Sequence, residues 1–502
     1  MSSARPAEPS SEELQERHAL SPDRLLLAGL AALALYRLLV LAVAQVPLAP
    51  DEAQYYGWSR ALDWGYYSKP PVVAIMIRLS TAIFGDSEFG VRALALCLYF
   101  LAALALRDVA LRLFNRQVAR NATFIFITLP VVSFGSLYAT TDAPMLFFWS
   151  LALACFVRAL QTDGWPAWLG LGLAIGGGLL TKYSLLALPA GMALYLLWPG
   201  SPSGQNWRRL VSPKPWVAVA IALACLAPNL LWNAAHGGAT LRHTAEITQL
   251  DRDLFHPDAG LKFLLEQWVV FGLLFAPPLV LAFLRPRALL ASDGLRLLVC
   301  VSLPLFAVMV LQGFLARANA NWAAAAYVGG SILVAVLLVG KHRQRLLLGG
   351  LAVNIVLMLV LYHHADGARA IGKPLPVDRD IFWRQRGWPE FAAALRPIVQ
   401  AYPDAALLVS DRNVAAELTY YLRDLSPRIA AWNPEGHISD HYRLMQDIRQ
   451  VPAPRYLAIM TNPDALGTAF ATTTPLGTVH FIARRPLDYP VQLLEGFKGY
   501  TP

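Results

Sequence analysis

Apolar runs of about 20 residues, the length an α-helix needs to cross a bilayer, recur along most of this chain. The first covers 25–48. Others follow near 91–113, 121–138, 143–160, 166–182, 184–199, 216–235, 262–284, 295–315, 322–340 and 345–363. In lipid, backbone amides must be satisfied within their own segment, so runs of this kind become helices. The stretch 166–199 reads as two helices broken at Thr181-Lys182-Tyr183, because one helix of that length would overshoot the hydrocarbon layer. The pattern predicts about 11 spans. With 56% hydrophobic and only 15% charged residues, it excludes an ordinary soluble protein.

Charge orients the bundle. With the N-terminus inside, the cytoplasmic loops carry 13 Lys and Arg, against five in the outer loops beyond the first. The positive-inside rule supports that orientation. The formal charge of +9 is thereby assigned to loops beside the lipid bilayer, and no nucleic-acid partner is expected. Residues 1–24 are polar and read as a cytoplasmic arm. Residues 25–364 form the all-α polytopic membrane domain, in which 49–90 is the first external loop. An apolar segment at 72–84 is too short to span and reads as an interfacial helix within that loop. Beyond 364 the apolar runs shorten to strand length at Ala406–Ser410, Tyr456–Met460 and Val479–Ala483. Helix-like segments lie at Glu390–Tyr402 and Asn413–Leu422. This alternation predicts a small α/β domain over 365–502, on the external side. The four cysteines sit inside apolar runs and form no CxxC pair, which supports neither a thiolate metal site nor a disulfide framework.

One stretch carries more chemistry than a turn between spans requires. DEAQYYGWSRALDWGYYSKPP, Asp51 to Pro71, gathers an acidic pair (Asp51, Glu52), four tyrosines including Tyr55 and Tyr66, two tryptophans and Lys69. Aromatic residues anchor at interfaces, and an acid at a helix start caps it. Anchoring and capping account for the aromatics and leave the acid and the lysine in one short loop unexplained. A carboxylate, a cation and phenols together are the parts for handling a phosphate and a hydroxyl.

This stretch, followed by GDSEFGVR (Gly85–Arg92), resembles the first external loop of family 39 type glycosyltransferases. These are GT-C fold enzymes that include protein mannosyltransferases and the aminoarabinose transferases of lipid A. Three further segments extend the resemblance. In TTDAPM, Asp142 stands where the family carries an Asp beside its active site; a helix N-cap is the alternative. In PNLLWNAAHGGATLRHT, Arg242 resembles a basic residue that reaches the carrier phosphate, with His243 as substitute. In ARANANWAAAAY, Asn321 and Trp322 resemble an NWP-type motif, with Ala323 where Pro is usual. Departures are equally specific. Gln54 stands where aminoarabinose transferases carry Arg, and Ser68 where they carry a Glu assigned to a metal site. No metal or other cofactor is expected, and neither aminoarabinose nor lipid A is implied as substrate.

The resemblance implies a multi-pass enzyme of the bacterial inner membrane with its active site and C-terminal domain on the periplasmic side. It would transfer a sugar from a polyprenyl-phosphate donor to an envelope lipid, glycan or protein. Asp51 is the expected general base, assisted by Asp142. Glu52, Tyr55, Tyr66, Lys69, Arg242, His243, Asn321 and Trp322 are the expected substrate contacts. A polytopic transporter or flippase is the competing reading. Its usual marks are inverted repeats and mid-span charges, whereas these polar clusters sit at span ends.

Overall fold

The computed structural model describes residues 22–44, 46–198, 206–249, 254–290, 292–482 and 486–500. The first 21 residues of the expected cytoplasmic arm lie outside them. The chain is mostly helical, with a small sheet at its C-terminal end. In order, the helices of the first half are α1 (Pro22–Val43), α2 (Pro50–Arg60), α3 (Val72–Phe84), α4 (Glu88–Leu113), α5 (Arg116–Thr128), α6 (Pro130–Gly135), α7 (Asp142–Thr162), α8 (Trp165–Leu179) and α9 (Ala187–Leu197). The bundle continues with α10 (Pro213–Ala235), α11 (Ala239–Thr248), α12 (Pro257–Val270), α13 (Ala276–Phe283), α14 (Pro286–Leu289), α15 (Asp293–Leu315), α16 (Ala326–Leu337) and α17 (Lys341–Ala370).

Among the described residues, six helices are long and apolar enough to cross a membrane: α1, α4, α7, α10, α15 and α17. The other expected spans are shorter or broken. Run 121–138 breaks where Pro130 opens a new helix, and run 262–284 breaks at Gly272, whose φ is 100°. The expected break near Thr181 is present, between α8 and a 3-10 turn at Tyr183–Leu186. The break at Pro130 is held by a fully buried arginine. Arg37 of α1 donates to the Ile127 carbonyl at 2.8 Å, to Ser133 Oγ at 2.9 Å and to Ser136 Oγ at 3.1 Å. A buried cation is tolerated in a bundle when such acceptors face it. Elsewhere small residues let backbones approach: a Cβ at Gly172 of α8 would come within 2.6 Å of the Ala218 carbonyl of α10.

Beyond α17 lie α18 (Trp388–Ala401), β1 (Ala406–Val409), α19 (Arg412–Tyr421), β2 (Ile429–Ala431), α20 (His441–Met445), β3 (Arg455–Ile459), β4 (Phe470–Phe481) and β5 (Leu487–Phe497). The sheet order is β2-β1-β3-β5-β4. Strand β1 runs parallel to β2 and β3, whereas β5 is antiparallel to β3 and β4. Strands β1 and β3 are almost wholly apolar and buried, as expected for strands covered on both faces. The three residues of β2 are also apolar and buried, and β5 carries no such run.

This domain is seated on the loop between α1 and α4. Helix α19 packs along α2, with Tyr420 edge-on to Tyr56 at 4.9 Å. Tyr421 Oη accepts the Leu48 N–H at 3.0 Å, and Arg423 donates to the Asp86 carbonyl at 2.9 Å. Helix α2 therefore lies between the membrane bundle and the C-terminal domain.

Candidate active site

Pro50 opens α2 with its φ already helical, and Asp51 and Glu52 fill the acidic first turn. Consecutive residues of a helix point about 100° apart, and here that angle separates two environments. Glu52 is 1% exposed and turns toward α4. Arg92 clasps it through two nitrogens, at 2.8 and 2.7 Å. The N–H groups of Ala49 and Ala139 complete its shell at 2.9 and 2.8 Å. Arg92 also donates to the carbonyls of Val46 and Pro47. Both Glu52 oxygens and all three Arg92 guanidinium nitrogens find partners inside the protein, so Glu52 is placed to lock α1, α2, α4 and the loop before α7 together. It does not reach the cavity, although the sequence grouped it with the substrate contacts.

Asp51, by contrast, opens onto a polar cavity of about 390 Å³ between the bundle and the C-terminal domain. The loop after α2 supplies the facing wall. Tyr66 stacks on Trp58 with ring centroids 4.4 Å apart and planes 4° from parallel. Its hydroxyl bonds the Trp58 and Ala61 carbonyls and the Asp63 N–H. Its backbone N–H reaches the Lys69 carbonyl at 3.1 Å, which fixes the turn that presents Lys69. Tyr66 is thus a brace for the loop and does not line the cavity.

Lys69 does line it. Its ammonium makes no hydrogen bond among the described residues. Burial, and next the charge of Lys182, pull the amine down to about 8. A cation held in a desolvated place without a partner is poised for an anion. Tyr55, Tyr67, His243, Trp322, Arg317 and Arg412 share the same cavity. Burial, then the nearby Lys69 charge, lowers the His243 imidazole to about 4. His243 is therefore neutral at pH 7 and offers a hydrogen bond rather than a charge. Tyr67 donates to Glu246 at 3.1 Å and to the Ile438 carbonyl at 3.2 Å, which ties α11 and the C-terminal domain to the loop.

Asp142, at the start of α7, pairs with Lys182 at 3.3 Å and accepts a hydrogen bond from Asn321. The charges of Asp142 and Lys182, with those of Asp51 and Arg412, act on Lys69, but Asp142, Lys182 and Asn321 do not line the cavity. Arg242 is exposed and curls back onto the Gly237 carbonyl; it does not line the cavity. A wider pocket of about 640 Å³ opens alongside and shares Gln249, Arg317 and Asn319 with the first. Among the described residues no three His, Cys, Asp or Glu side chains cluster as a metal site.

Sequence reasoning missed Tyr67, Lys182, Arg317 and, above all, Arg412. Arg412 Nη1 donates to Asp51 at 3.0 Å and to Gln54 at 2.9 Å. It stands just after Asp411, which caps α19 by accepting the Asn413 N–H, so locally it reads as an ordinary helix start.

Comparison with known proteins places this arrangement. The chain is 32% identical over 414 residues to the lipid A galacturonosyltransferase RgtD of Rhizobium johnstonii, across 81% of this chain and 85% of that one. It belongs to the same family of membrane glycosyltransferases. The glycosyltransferase is also 31% identical over 196 residues to the undecaprenyl phosphate-alpha-4-amino-4-deoxy-L-arabinose arabinosyl transferase of Pseudomonas aeruginosa, across 35% of each chain. The family model described as dolichyl-phosphate-mannose-protein mannosyltransferase matches residues 68–232. The fold is that of ArnT from Cupriavidus metallidurans bound to undecaprenyl phosphate, with TM-score 0.64 and 17% identity over 92% of this chain and 97% of that one. The GT-C glycosyltransferase reading of the sequence stands, and the transporter reading falls.

Proposed function

We propose that this glycosyltransferase moves a sugar from a polyprenyl-phosphate carrier to a lipid-anchored saccharide of the bacterial envelope, on the periplasmic face of the inner membrane. The observation that carries the reading is the cavity in which the Lys69 ammonium, without a hydrogen bond among the described residues, lines the same space as Asp51. The names of the bacterial relatives supply the donor and acceptor classes.

In this mechanism Asp51 takes the proton of the acceptor hydroxyl as general base. The acceptor oxygen bonds the anomeric carbon as the bond from that carbon to the carrier phosphate breaks. The leaving phosphate keeps the electron pair, and Lys69 stabilises its growing charge. Arg317 supports the phosphate in the role the sequence gave to Arg242. Asp142, fixed by Lys182 and Asn321, positions the acceptor. Tyr55, His243 and Trp322 form the walls against which the sugar is oriented, and the wider pocket beside Arg317 admits the acceptor.

Two experiments test this. Purified protein given a polyprenyl-phosphate-linked sugar and lipid A should form the glycosylated lipid and release the carrier phosphate. Absence of transfer with every carrier-linked sugar, despite a monodisperse protein, overturns the reading. For orientation, Thr472→Cys in a background lacking the four native cysteines should react with a membrane-impermeant maleimide from the periplasmic side. Labelling only after the inner membrane is lysed reverses the assignment.

A further inference from the structure

We propose that Arg412 of the C-terminal domain is a positioning residue for the catalytic base. It holds one oxygen of the Asp51 carboxylate so that the other faces the acceptor hydroxyl, which makes the C-terminal domain part of the catalytic unit. The inference rests on the reading of Asp51 as general base and adds the group that aims it.

Asp51 has no anchor on its own helix. The N-cap of α2 is Ala49, and the Ala49 N–H is taken by Glu52. Among the described residues the Asp51 side chain has one hydrogen-bond partner: Oδ1 accepts from Arg412 Nη1 at 3.0 Å. Oδ2 accepts no hydrogen bond among them, and the side chain opens onto the cavity, 59% exposed. The last torsion of an Asp side chain is soft, so a carboxylate without a partner swings over a wide arc. One charged contact on one oxygen narrows that arc and leaves the second oxygen to take a proton. A base turned toward its substrate by a third group is a recurring arrangement in catalytic sites. Among the described residues no other cation is paired with Asp51. Lys182 is on Asp142 at 3.3 Å, and Arg317 bonds the Asn319 side chain at 3.4 Å. Lys69 lines the same cavity without a hydrogen bond among the described residues.

Arg412 is itself held in place. The same Nη1 donates to Gln54 Oε1 at 2.9 Å. Gln54 is buried and lies three residues after Asp51 on α2, a spacing that puts both side chains on one face of the helix. The guanidinium thus rests on two acceptors one turn apart, and the buried amide fixes where it meets the carboxylate. Behind it, Asp411 caps α19 through the Asn413 N–H at 2.7 Å, and the Tyr420–Tyr56 contact seats that helix on α2. The Asp51 pair is wet, with 42% of the Arg412 side chain exposed, and exposed ion pairs add little to stability. The contact therefore contributes little to the fold, while it is what orients the carboxylate.

The test is steady-state transfer from a polyprenyl-phosphate-linked sugar to lipid A by the full-length protein. Arg412→Ala should lower kcat roughly 10–100-fold, a part of what a general base supplies, with KM for donor and the melting temperature in detergent unchanged. Arg412→Lys should restore part of kcat. Gln54→Arg added to Arg412→Ala should restore part as well, because the new cation reaches Asp51 from one turn away on the same helix. In an Asp51→Asn background, Arg412→Ala should cost nothing further, since a residue that acts through the base has no effect once the base is gone. A rise in donor KM with kcat intact overturns the inference, because Arg412 then holds the donor. Losses that multiply across the Arg412→Ala and Asp51→Asn cycle overturn it too, as does a kcat that neither Lys at 412 nor Arg at 54 restores. A near-normal Asp51→Asn enzyme removes Asp51 as base and this inference with it, while transfer itself stands. No transfer by the wild type removes the proposed function and the inference together. Should Arg412→Ala fail to fold, the same cycle run with Arg412→Gln decides by the same outcomes.

Discussion

The two regions that meet on α2 treat charge in opposite ways. On the side facing α4, Glu52 and Arg92 are buried and saturated: each oxygen and each guanidinium nitrogen has a partner within the protein. On the side facing the cavity, Asp51 holds a wet pair and Lys69 holds none among the described residues. Both regions contain an acid and a base, and the two acids are neighbours in the first turn of α2. What separates structural charge from functional charge here is whether its hydrogen-bonding capacity is already met. A saturated pair fixes geometry, and an unsaturated one awaits a ligand.

The sharpest way to break this contrast is at its two adjacent acids. Asp51→Asn preserves shape, and it removes no helix cap, because Ala49 is the N-cap of α2. It should fold and bind donor, with turnover lower by about 10²–10⁴-fold; near-normal transfer would move Asp51 to the structural side. Glu52→Gln should do the reverse. It leaves the Arg92 guanidinium buried without its counter-charge, a loss of about 3–5 kcal/mol, read as a lower melting temperature in detergent. Donor affinity of the fraction that remains folded should be unchanged. A stable Glu52→Gln enzyme that has lost donor binding would erase the distinction.

Lys69→Ala should weaken donor binding by about 1.5–3 kcal/mol, and Lys69→Arg should recover part of it. The wild-type amine, held at about 8 by burial, gives this contact a pH signature. The cation is lost as pH rises through about 8, so donor affinity should fall across that range. It should stay level in Lys69→Arg, whose guanidinium remains charged. Stability moves the other way: the unfolded lysine binds its proton up to 10.5, so the cost of burying Lys69 is relieved between about 8 and 10.5. Donor titrations and thermal melts at three pH values check both slopes. The smallest effect belongs to Tyr66→Phe, which removes the hydroxyl that bridges the loop. It should cost about 1 kcal/mol of stability with kcat and KM for donor intact. A selective rise in KM would return Tyr66 to the list of substrate contacts.

Much of this was legible in the sequence because it is local. The apolar runs mark the bundle, and Asp51, Tyr55 and Lys69 share a cavity because they lie within one short loop. His243 and Trp322 joined them through the family resemblance. Composition gives no means of telling Asp51 from Glu52, since the phase of α2 against α4 decides which acid faces inward. Tyr66 and Tyr67 are adjacent tyrosines with the same ambiguity; Trp58 captures the first and leaves the second on the cavity. Arg242 was misplaced because a left-handed turn at Gly237 and Gly238 presents a carbonyl that captures its guanidinium. Arg412 was out of reach for a different reason: only the seating of α19 on α2 brings it to Asp51.

That seating has a consequence for how the enzyme is made. Arg412 follows Asp51 by 361 residues. At about 5–20 residues per second, the ribosome needs roughly 20–70 s to get from one to the other. Throughout that interval the loop between α1 and α4 that carries Asp51 and Lys69 is already emerging, while the wall that completes their cavity has yet to be synthesised. The nascent chain is therefore an unfinished catalyst until its C-terminal domain is read, and premature termination before Arg412 would leave an inserted bundle whose cavity lacks one wall.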